Sequence, residues 1–519
     1  MAEERKMKRF DHATRQLQNM VAVGEVGPDH ARIWMRSDQP GEVKVFCHES
    51  DNFRAEQEFG VAIDDDASDY TKTLLIRDLK PLTRYGYLVV RRNDLKPLGG
   101  GTFMTFPEKP SDTPERVVIG LMSCHQPFNE DNFDLDPRRG RLLEVTQNIL
   151  KDNDVKFLLL GGDQIYSDVP KNRSLFEEHY TKNWNHPMGP SILAWDADSV
   201  RKAFQERYRI FWNLREIKQF YANYSCYPIL DDHEIKDDWG AEKAHSSKAY
   251  QNIKKGALQA YFDYQGSRVM ERTARLPRSF HYSFDYGTIG VFVMDIRSER
   301  KVGKEGEPNQ LYSDAQMADL QAFFDRSHDK HVLLIMSSVP IVHLPEWLTK
   351  MGNRLFGSLV DFADHWSHGP NQSDRNRLLR IIYEHQVRHP RQRVIIVSGD
   401  VHIGCAFSIE WKGRKPKPVL YQFTSSAISN RTKSFMAEWS KAGPEHAFID
   451  MDCGDGLKAK TRLLKSEDDG MNPFTGLNLG LIEVLRDADK DESSVRLRLV
   501  GYPEERNGGY QDFFVSKIL

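Results

Sequence analysis

The sequence predicts an α/β protein with an all-β domain at its amino-terminal end. Between residues 18 and 107, short runs of alternating polar and apolar residues are separated by glycine, proline and aspartate. From residue 117 to about residue 430, continuous runs of valine, isoleucine and leucine alternate with stretches whose apolar residues recur at helical spacing. Continuous runs of this kind are typical of strands that are buried on both faces of a sheet. Strands that alternate with helices indicate an α/β domain.

The first region, residues 18–107, is predicted to be a sandwich of immunoglobulin-like type. Short strands at regular spacing, punctuated by turn residues, are typical of such sandwiches. Residues 31–36 and 85–90 are examples of these strands. Three prolines within residues 107–114 then predict a stiff linker. The region contains no catalytic motif, so the chemistry is expected in the rest of the chain.

The remaining chain, residues 117–519, is predicted to form one catalytic domain. The elements predicted within it include helices over residues 139–152 and 198–222, a helix capped by Ser313, buried strands over 290–294 and 332–336, and a hairpin of 480–485 with 495–500. Residues 431–475 are polar and irregular in pattern, which predicts a surface insertion or a lid.

The composition argues against several classes of protein. The formal net charge of -3, from 72 basic and 75 acidic residues, does not favour sequence-specific binding to nucleic acid or attraction to anionic membranes. No apolar run approaches the roughly 18 residues of a membrane span, and the amino terminus lacks the apolar segment of a signal peptide. We therefore expect a cytoplasmic protein. Five cysteines, an odd and small number, do not predict a disulfide framework.

Four of the apolar runs end on side chains that commonly bind metal ions. These are Cys124, then Asp163 and Tyr166, then Asp232 and His233, and finally Asp400 and His402. Each has an ordinary explanation when taken alone, such as a buried cysteine or a helix cap. Ligands of α/β sheets bind beyond the carboxyl ends of the strands, so all four groups are expected to meet at one edge. Thiol and phenol suit a transition metal, whereas carboxylates suit a hard divalent ion.

The motifs at these strand ends carry a family resemblance. Ser-Cys, Gly-Gly-Asp-x-x-Tyr, Asp-Asp-His-Glu and Gly-Asp-x-His occur in this order behind a small β domain. This set resembles the PhoD-type alkaline phosphatases and phosphodiesterases of the calcineurin-like metallophosphoesterase superfamily. The resemblance implies a four-layer α/β/β/α fold, Fe³⁺ with Ca²⁺ as cofactors, and hydrolysis of small-molecule or polymeric phosphate esters. Other divalent ions, such as Mn²⁺, Zn²⁺ or Mg²⁺, remain open as alternatives.

The resemblance also implies a role for each site residue. By position, Cys124, Asp163, Tyr166 and His402 would bind the iron, with Asp163 shared, and Asp232 and Asp400 would bind the second ion. Ser337 and Ser338 stand where the resemblance implies a histidine ligand, after the strand that ends at residue 336, so that ligand is absent or replaced. Asp237 or Asp238 is a further candidate for a ligand or a phosphate contact.

The expected mechanism is attack by a metal-bridging hydroxide, because two cations lower the pKa of a shared water. His233 is expected to assist by protonating the leaving oxygen or by stabilising charge. Arg297 is a candidate phosphate clamp, since its planar fork suits bidentate contact, and its alternative role is a structural salt bridge.

Two other functions are left open by the sequence. One is a non-catalytic protein that binds or senses phosphate or a nucleotide and retains the metal site. The other is a hydrolase that uses Ser123 or Cys124 as nucleophile, which is disfavoured because no Gly-x-Ser-x-Gly turn accompanies these residues. The natural ester, the preference for monoesters or diesters, and the oligomeric state are not indicated.

Overall fold

The computed structural model describes residues 19–50, 52–342, 365–412, 415, 417–431, 450–503 and 509–519. In these ranges the strands are β1 (Met20–Val26), β2 (Ala31–Arg36), β3 (Gly41–Glu49), β4 (Asn52–Ile63), β5 (Thr71–Ile76), β6 (Arg84–Arg91), β7 (Pro97–Met104), β8 (Arg116–Met122), β9 (Val155–Leu160), β10 (Ser225–Pro228), β11 (Tyr282–Tyr286), β12 (Ile289–Val293), β13 (Val332–Met336), β14 (Arg393–Ser398), β15 (Cys405–Lys412), β16 (Val419–Thr424), β17 (Asp450–Asp452), β18 (Lys458–Leu463), β19 (Asn478–Asp487), β20 (Glu492–Gly501) and β21 (Gln511–Val515). The α-helices are α1 (Pro137–Asp152), α2 (Glu178–Thr181), α3 (Ala197–Phe211), α4 (Arg215–Asn223), α5 (Lys248–Tyr264), α6 (Asp314–Arg326) and α7 (Gln372–Arg388).

The amino-terminal region is rich in β-structure, as predicted. Its strands form two antiparallel sheets, one of order β1-β2-β5 and one of order β4-β3-β6-β7. Every second residue of β3, namely Val43, Val45 and Cys47, is buried. This alternation of buried and more exposed residues is the pattern that marks a strand with one face in a core.

The amino-terminal sheets pack tightly on the rest of the chain. The indole Nε1 of Trp34 donates to the backbone oxygen of Asp263 at 2.7 Å. The Tyr87 hydroxyl donates to the oxygen of Ala222 at 3.0 Å, and the Tyr227 hydroxyl donates to that of Val26 at 3.1 Å. All three of these aromatic side chains are buried. The amino-terminal strands therefore share a core with residues of the predicted catalytic domain.

Two larger mixed sheets form the remainder. The first has the order β10-β9-β8-β19-β20-β21, with β8, β9 and β10 parallel and the carboxyl-terminal strands antiparallel. The second has the order β11-β12-β13-β14-β16-β15-β18-β17, with β12, β13, β14 and β16 parallel. Except for β16, which the sequence analysis did not predict, the parallel strands of both sheets overlap the apolar runs that were predicted to be buried.

Alternate residues of these strands enter different apolar cores. Val117 and Ile119 of β8 share one core with Val291 of β12 and Leu334 of β13. The opposite face of β8 packs with residues of α1, α3, α4 and α5. The opposite faces of β12 and β13 pack with residues of α6 and α7. The residues of β8, β12 and β13 thus alternate between a core that the two large sheets share and a core that each forms with helices.

Two sequence predictions need correction here. The helix predicted over residues 198–222 is two helices, α3 and α4, because the chain leaves helical geometry between residues 212 and 214. The apolar spacing continues through this break because Trp212 is itself fully buried. Part of the predicted irregular segment 431–475 forms β17 and β18, which extend the second large sheet. The lid prediction for residues 432–449 lies outside the described residues.

Among the residues that the structure describes, no helix has both the length and the hydropathy that crossing a membrane would require.

Candidate metal centre

The predicted ligands lie just beyond the carboxyl ends of the central parallel strands. Cys124 follows β8, Asp163 follows β9, and Asp400 and His402 follow β14. All four residues have left-handed backbone conformations, with φ values of 56°, 57°, 69° and 55°. Such conformations cost energy for residues other than glycine, and they are concentrated at functional sites. The chain therefore turns sharply at each strand end and directs these side chains toward one another.

Two glycines of the motifs allow the strand ends to approach closely. Gly162 has a φ of 95°, and a β-carbon placed on it would lie 2.5 Å from the β-carbon of Asp231. A β-carbon on Gly399 would lie 2.5 Å from the side chain of Ser123. Any larger residue would push the loops apart, so these motif glycines are needed to bring the acidic residues together.

One side of the site combines sulfur, nitrogen and oxygen ligands. Ligand atoms of Cys124, Asp163 and His402 all lie within 4.8 Å of one another. The Tyr166 hydroxyl is 3.0 Å from Asp163 Oδ2 and 3.4 Å from His402 Nε2. This set of thiol, phenol, imidazole and carboxylate suits a transition-metal ion. The structure thus brings together the four residues that the family resemblance assigns to iron, and their role as ligands stays a prediction.

The other side of the site contains only carboxylates. Oxygen atoms of Asp163, Asp231, Asp232 and Asp400 lie within 4.8 Å of one another. Asp163 Oδ1, Asp231 Oδ2 and Asp232 Oδ1 are buried and have no hydrogen-bond partner among the described residues. Buried carboxylate oxygens without a partner are costly, and oxygen atoms of this kind are the preferred ligands of hard divalent ions. Asp163 belongs to both sides, as a shared ligand would.

The electrostatics of the cluster also fit cations. Burial raises the pKa of Asp163 well above its usual value, and the carboxylates of Asp231 and Asp232 raise it further, although His233 opposes this. Burial also raises the pKa of Asp231 to about 6, against the opposing charge of Arg297. Several carboxylates at this distance cannot all be charged without a compensating positive charge. Bound cations would supply that charge, so the donor set fits two metal ions of different chemistry.

His233 is held beside the carboxylates by a second acid. Its Nδ1 atom lies 2.7 Å from Asp168 Oδ1, and one of its ring nitrogens lies within 4.8 Å of oxygens of Asp163 and Asp232. Burial lowers the pKa of the imidazole, but the charges of Asp168, Asp232 and Asp163 outweigh burial and raise this pKa well above its usual value. Asp237 lies on the other side of the ring, with Oδ1 3.5 Å from Nε2.

Arg297 contacts the carboxylates from behind. Its side chain is fully buried, its Nε donates to Asp231 Oδ1 at 2.7 Å, and its Nη2 is 3.6 Å from Asp232 Oδ1. A guanidinium group in this position holds the two aspartates and opposes the rise that burial causes in the pKa of Asp231. The role of phosphate clamp stays a prediction, and the geometry favours the structural salt bridge that the sequence left as its alternative.

Several residues of the site were not assigned a role from the sequence. They are Asp231, Asp168, Glu234, Ser338, His365 and Asn430. Asp231 and Glu234 stand in the Asp-Asp-His-Glu motif, and Asp168 follows Tyr166 by two residues, so the motifs contained a signal for these three. Ser338, at the place of the expected histidine, donates to Asp231 Oδ1 at 2.8 Å. His365 Nε2 lies 3.7 Å from Asp400 Oδ2, and no local pattern marks it.

The fold and this site define a class: an α/β protein with two mixed sheets whose strand ends hold a carboxylate-rich cluster suited to metal ions. The chain belongs to the PhoD-like phosphatase family, whose model matches residues 120–451. This membership confirms the resemblance and indicates a metal-dependent phosphoesterase.

Comparison with solved structures agrees with the family. A structure described as "Structure of PhoD" is similar with a TM-score of 0.66 and 14% sequence identity, and the match covers 95% of this chain and 88% of that chain. At this identity the similarity concerns the fold. The sensor domain of the anti-sigma factor RsgI4 in Pseudobacteroides cellulosolvens matches 17% of this chain and 92% of its own at 20% identity, but its TM-score is only 0.15. No curated protein matches the chain.

Proposed function

We propose that the protein hydrolyses phosphate monoesters, diesters or both with the help of two different metal ions. The observation that carries this proposal is the cluster of four aspartates, three of which have a buried oxygen without a hydrogen-bond partner among the described residues, joined through Asp163 to a thiol, a phenol and an imidazole. A site of this composition is suited to an anionic substrate only when cations compensate its charge. Phosphate esters are the substrates for which a pair of cations is most useful, because both substrate and nucleophile are negative.

The proposed cofactors are Fe³⁺ on the side of Cys124, Tyr166 and His402, and Ca²⁺ or another divalent ion on the side of Asp232 and Asp400, with Asp163 shared. Mn²⁺, Zn²⁺ and Mg²⁺ are the alternatives for the divalent position. When bound, such ions would withdraw charge from the phosphoryl group and activate water for attack.

Within this proposal, His233 is the residue that handles a proton or stabilises charge at the leaving oxygen. Its Nδ1 is engaged by Asp168 at 2.7 Å, which fixes the ring and directs Nε2 away from that acid. The neighbouring carboxylates favour the protonated ring, so it is suited to donate a proton. Arg297 keeps Asp231 and Asp232 in place from behind the site.

We also infer the finer architecture from the packing. The contact of the two large sheets and the helices on their outer faces support a four-layer α/β/β/α arrangement. The three-stranded and four-stranded antiparallel sheets at the amino-terminal end support an immunoglobulin-like sandwich.

Turnover with and without metal tests the proposal. The purified protein should hydrolyse a chromogenic phosphate monoester or diester, lose this activity after treatment with a chelator, and regain it when metal is restored. Elemental analysis of the same samples identifies the ions. A protein with confirmed metal occupancy that hydrolyses neither ester would contradict the proposal.

Replacing His233 by asparagine should lower kcat by roughly 10²- to 10⁴-fold, the usual contribution of a positioned acid or base. Asp168→Asn should have a smaller effect of about 10- to 100-fold, because it disturbs only the orientation of the ring. His281, which pairs with Asp319 at 2.8 Å, provides the matched control His281→Asn. A steep pH dependence of kcat in the wild type that persists unchanged in His233→Asn would exclude this role for the imidazole.

The alternative of a non-catalytic phosphate or nucleotide sensor gains no support from the described part of the chain. A nucleophilic role for Cys124 is also disfavoured, because burial and the Asp163 carboxylate raise the pKa of its thiol well above the usual value.

A further inference from the structure

Arg139 is a buried cation near the candidate metal centre, and its side-chain polar contacts with the described residues are all long. It lies in the first turn of α1, is 7% exposed, and its Nε has no hydrogen-bond partner among the described residues. Its Nη1 is 3.5 Å from Asn430 Oδ1, its Nη2 is 3.5 Å from Glu130 Oε1, and its Nε is 3.8 Å from Asp136 Oδ2. The Asp136 carboxylate is already held by Arg138 at 2.9 and 3.1 Å. Arg139 is therefore not explained by a strong ion pair.

Asn430 links Arg139 to the predicted iron side of the site. Its backbone N–H donates to the oxygen of Cys124 at 3.1 Å. Its side-chain Nδ2 is 3.0 Å from the Tyr166 hydroxyl oxygen and 3.1 Å from His402 Nε2. Asn430 therefore contacts Tyr166, His402 and the backbone of Cys124, which are three of the four residues on that side.

The Arg139 guanidinium group faces the oxygen side of the Asn430 amide. A guanidinium group has only donors, so it pairs with the amide oxygen and leaves the amide nitrogen facing Tyr166 and His402. If the amide rotated by half a turn, its oxygen would face the phenol oxygen and the imidazole nitrogen. A phenol oxygen that has given up its proton to bind a metal accepts a hydrogen bond from N–H but is repelled by a carbonyl oxygen.

We propose that Arg139 and Asn430 form a positioning pair that orients the Tyr166 hydroxyl for metal binding. The inference rests on the proposed function, and it assigns a role to two residues that lie outside the predicted ligand set. Neither residue is required to touch the substrate. Partners that orient metal ligands typically contribute about 10- to 100-fold to metal affinity or activity.

The test compares metal retention in four full-length proteins: wild type, Arg139→Gln, Asn430→Ala and the control Arg138→Gln. Arg138 is the adjacent residue and binds the same aspartate, but its side chain is 69% exposed. Each protein is loaded with iron and then titrated with a chelator. Arg139→Gln and Asn430→Ala should release the metal at roughly 10-fold lower chelator concentration than wild type. Arg138→Gln should match wild type.

A second measurement is the visible absorption of the iron-loaded proteins, which reports the environment of a phenolate ligand independently of activity. Its maximum should shift in Arg139→Gln and Asn430→Ala, and Arg139→Lys, which keeps the charge and one donor group, should restore it in part. If Arg139→Gln does not fold, Asn430→Ala tests the same link with the guanidinium group intact.

Two outcomes separate this inference from the proposed function. If wild type binds metal and both variants match Arg138→Gln in retention and absorption, the pair has no positioning role and the proposed function stands. If wild type binds no metal and hydrolyses no ester, the proposed function fails and this inference fails with it.

Discussion

Asp163→Asn should abolish most of the activity of the protein and at the same time make the metal-free protein more stable. Asp163 is the carboxylate shared by both sides of the site, so its loss removes a ligand from each predicted ion. A loss of several kcal/mol of charge stabilisation corresponds to a fall in kcat/KM of roughly 10³-fold. The matched control is Asp154→Asn, because Asp154 has a similar left-handed backbone, with a φ of 53°, but an exposed side chain.

The gain in stability follows from the direction of the pKa shifts. In the metal-free protein, burial raises the pKa of Asp163 well above its usual value and that of Asp231 to about 6. The folded state then binds more protons than the unfolded state above pH 4, so the free energy of unfolding falls as the pH rises through these pKa values. Asp163→Asn removes one of these groups, so its stability should depend less steeply on pH.

Urea unfolding at pH 5 and pH 8, with chelator and with metal, measures both effects. Metal-free wild type should be less stable at pH 8 than at pH 5, by on the order of a few kcal/mol. Metal should stabilise wild type more at pH 8, since its ligands must lose protons to bind. Asp163→Asn should show a smaller pH effect and little stabilisation by metal. Full metal content and full turnover in this variant would contradict the shared role of Asp163.

The strand ends were predictable because their signals are local. Each buried run is continuous in sequence, and the side chain that follows it must lie at the carboxyl end of that strand. Cys124, Asp163 and Asp400 could therefore be placed at one edge without knowledge of the sheet order. The motif glycines Gly162 and Gly399 are consistent with this placement, since both are needed for the close approach of the loops.

The sheet order itself was not predictable, because pairing depends on contacts between distant segments. The hairpin of β19 and β20 is visible as two apolar runs, but its pairing with β8, from Gly480 opposite Leu121 to Leu485 opposite Arg116, leaves no mark in either segment. The same reason applies to Arg297. Its sequence position after β12 allowed a contact with substrate or a salt bridge, and only the tertiary structure places Asp231 2.7 Å from its Nε.

Glu234 shows how a motif residue can act through the backbone. Its carboxylate accepts hydrogen bonds from the backbone N–H groups of Asp163 at 3.0 Å, Gln164 at 2.7 Å and Asp231 at 3.1 Å. The side-chain Nε2 of Gln265 donates to the same carboxylate at 3.2 Å. One buried side chain thus joins the loops after β9 and β10 and sets the distance between two aspartates of the site.

Glu234→Ala should lower the free energy of unfolding by roughly 3 to 6 kcal/mol. The substitution leaves three buried backbone donors without an acceptor. Each unsatisfied donor costs about 1–3 kcal/mol, and the three costs are not fully additive. Activity should fall as well, because the loops that carry Asp163 and Asp231 lose their common anchor. Urea unfolding of the metal-free protein and the turnover of a chromogenic ester measure the two effects, and Glu242→Ala, at an exposed position nearby, is the control.

Wild type and Glu234→Ala should differ in free energy of unfolding by an amount that depends on pH. This dependence distinguishes the loss of the carboxylate from a general packing effect. Burial raises the pKa of Glu234 to about 7, although the backbone N–H of Gln164 opposes this shift. Wild type therefore loses part of the contribution of Glu234 as the pH rises from about 4.5 through 7, whereas the alanine variant has no such group to titrate. The stability difference between the two proteins should accordingly be larger at pH 5 than at pH 8. Two results would show that the carboxylate does not hold these loops. One is a stability difference between wild type and Glu234→Ala that is equal at pH 5 and pH 8, and the other is a urea unfolding midpoint of Glu234→Ala no lower than that of Glu242→Ala.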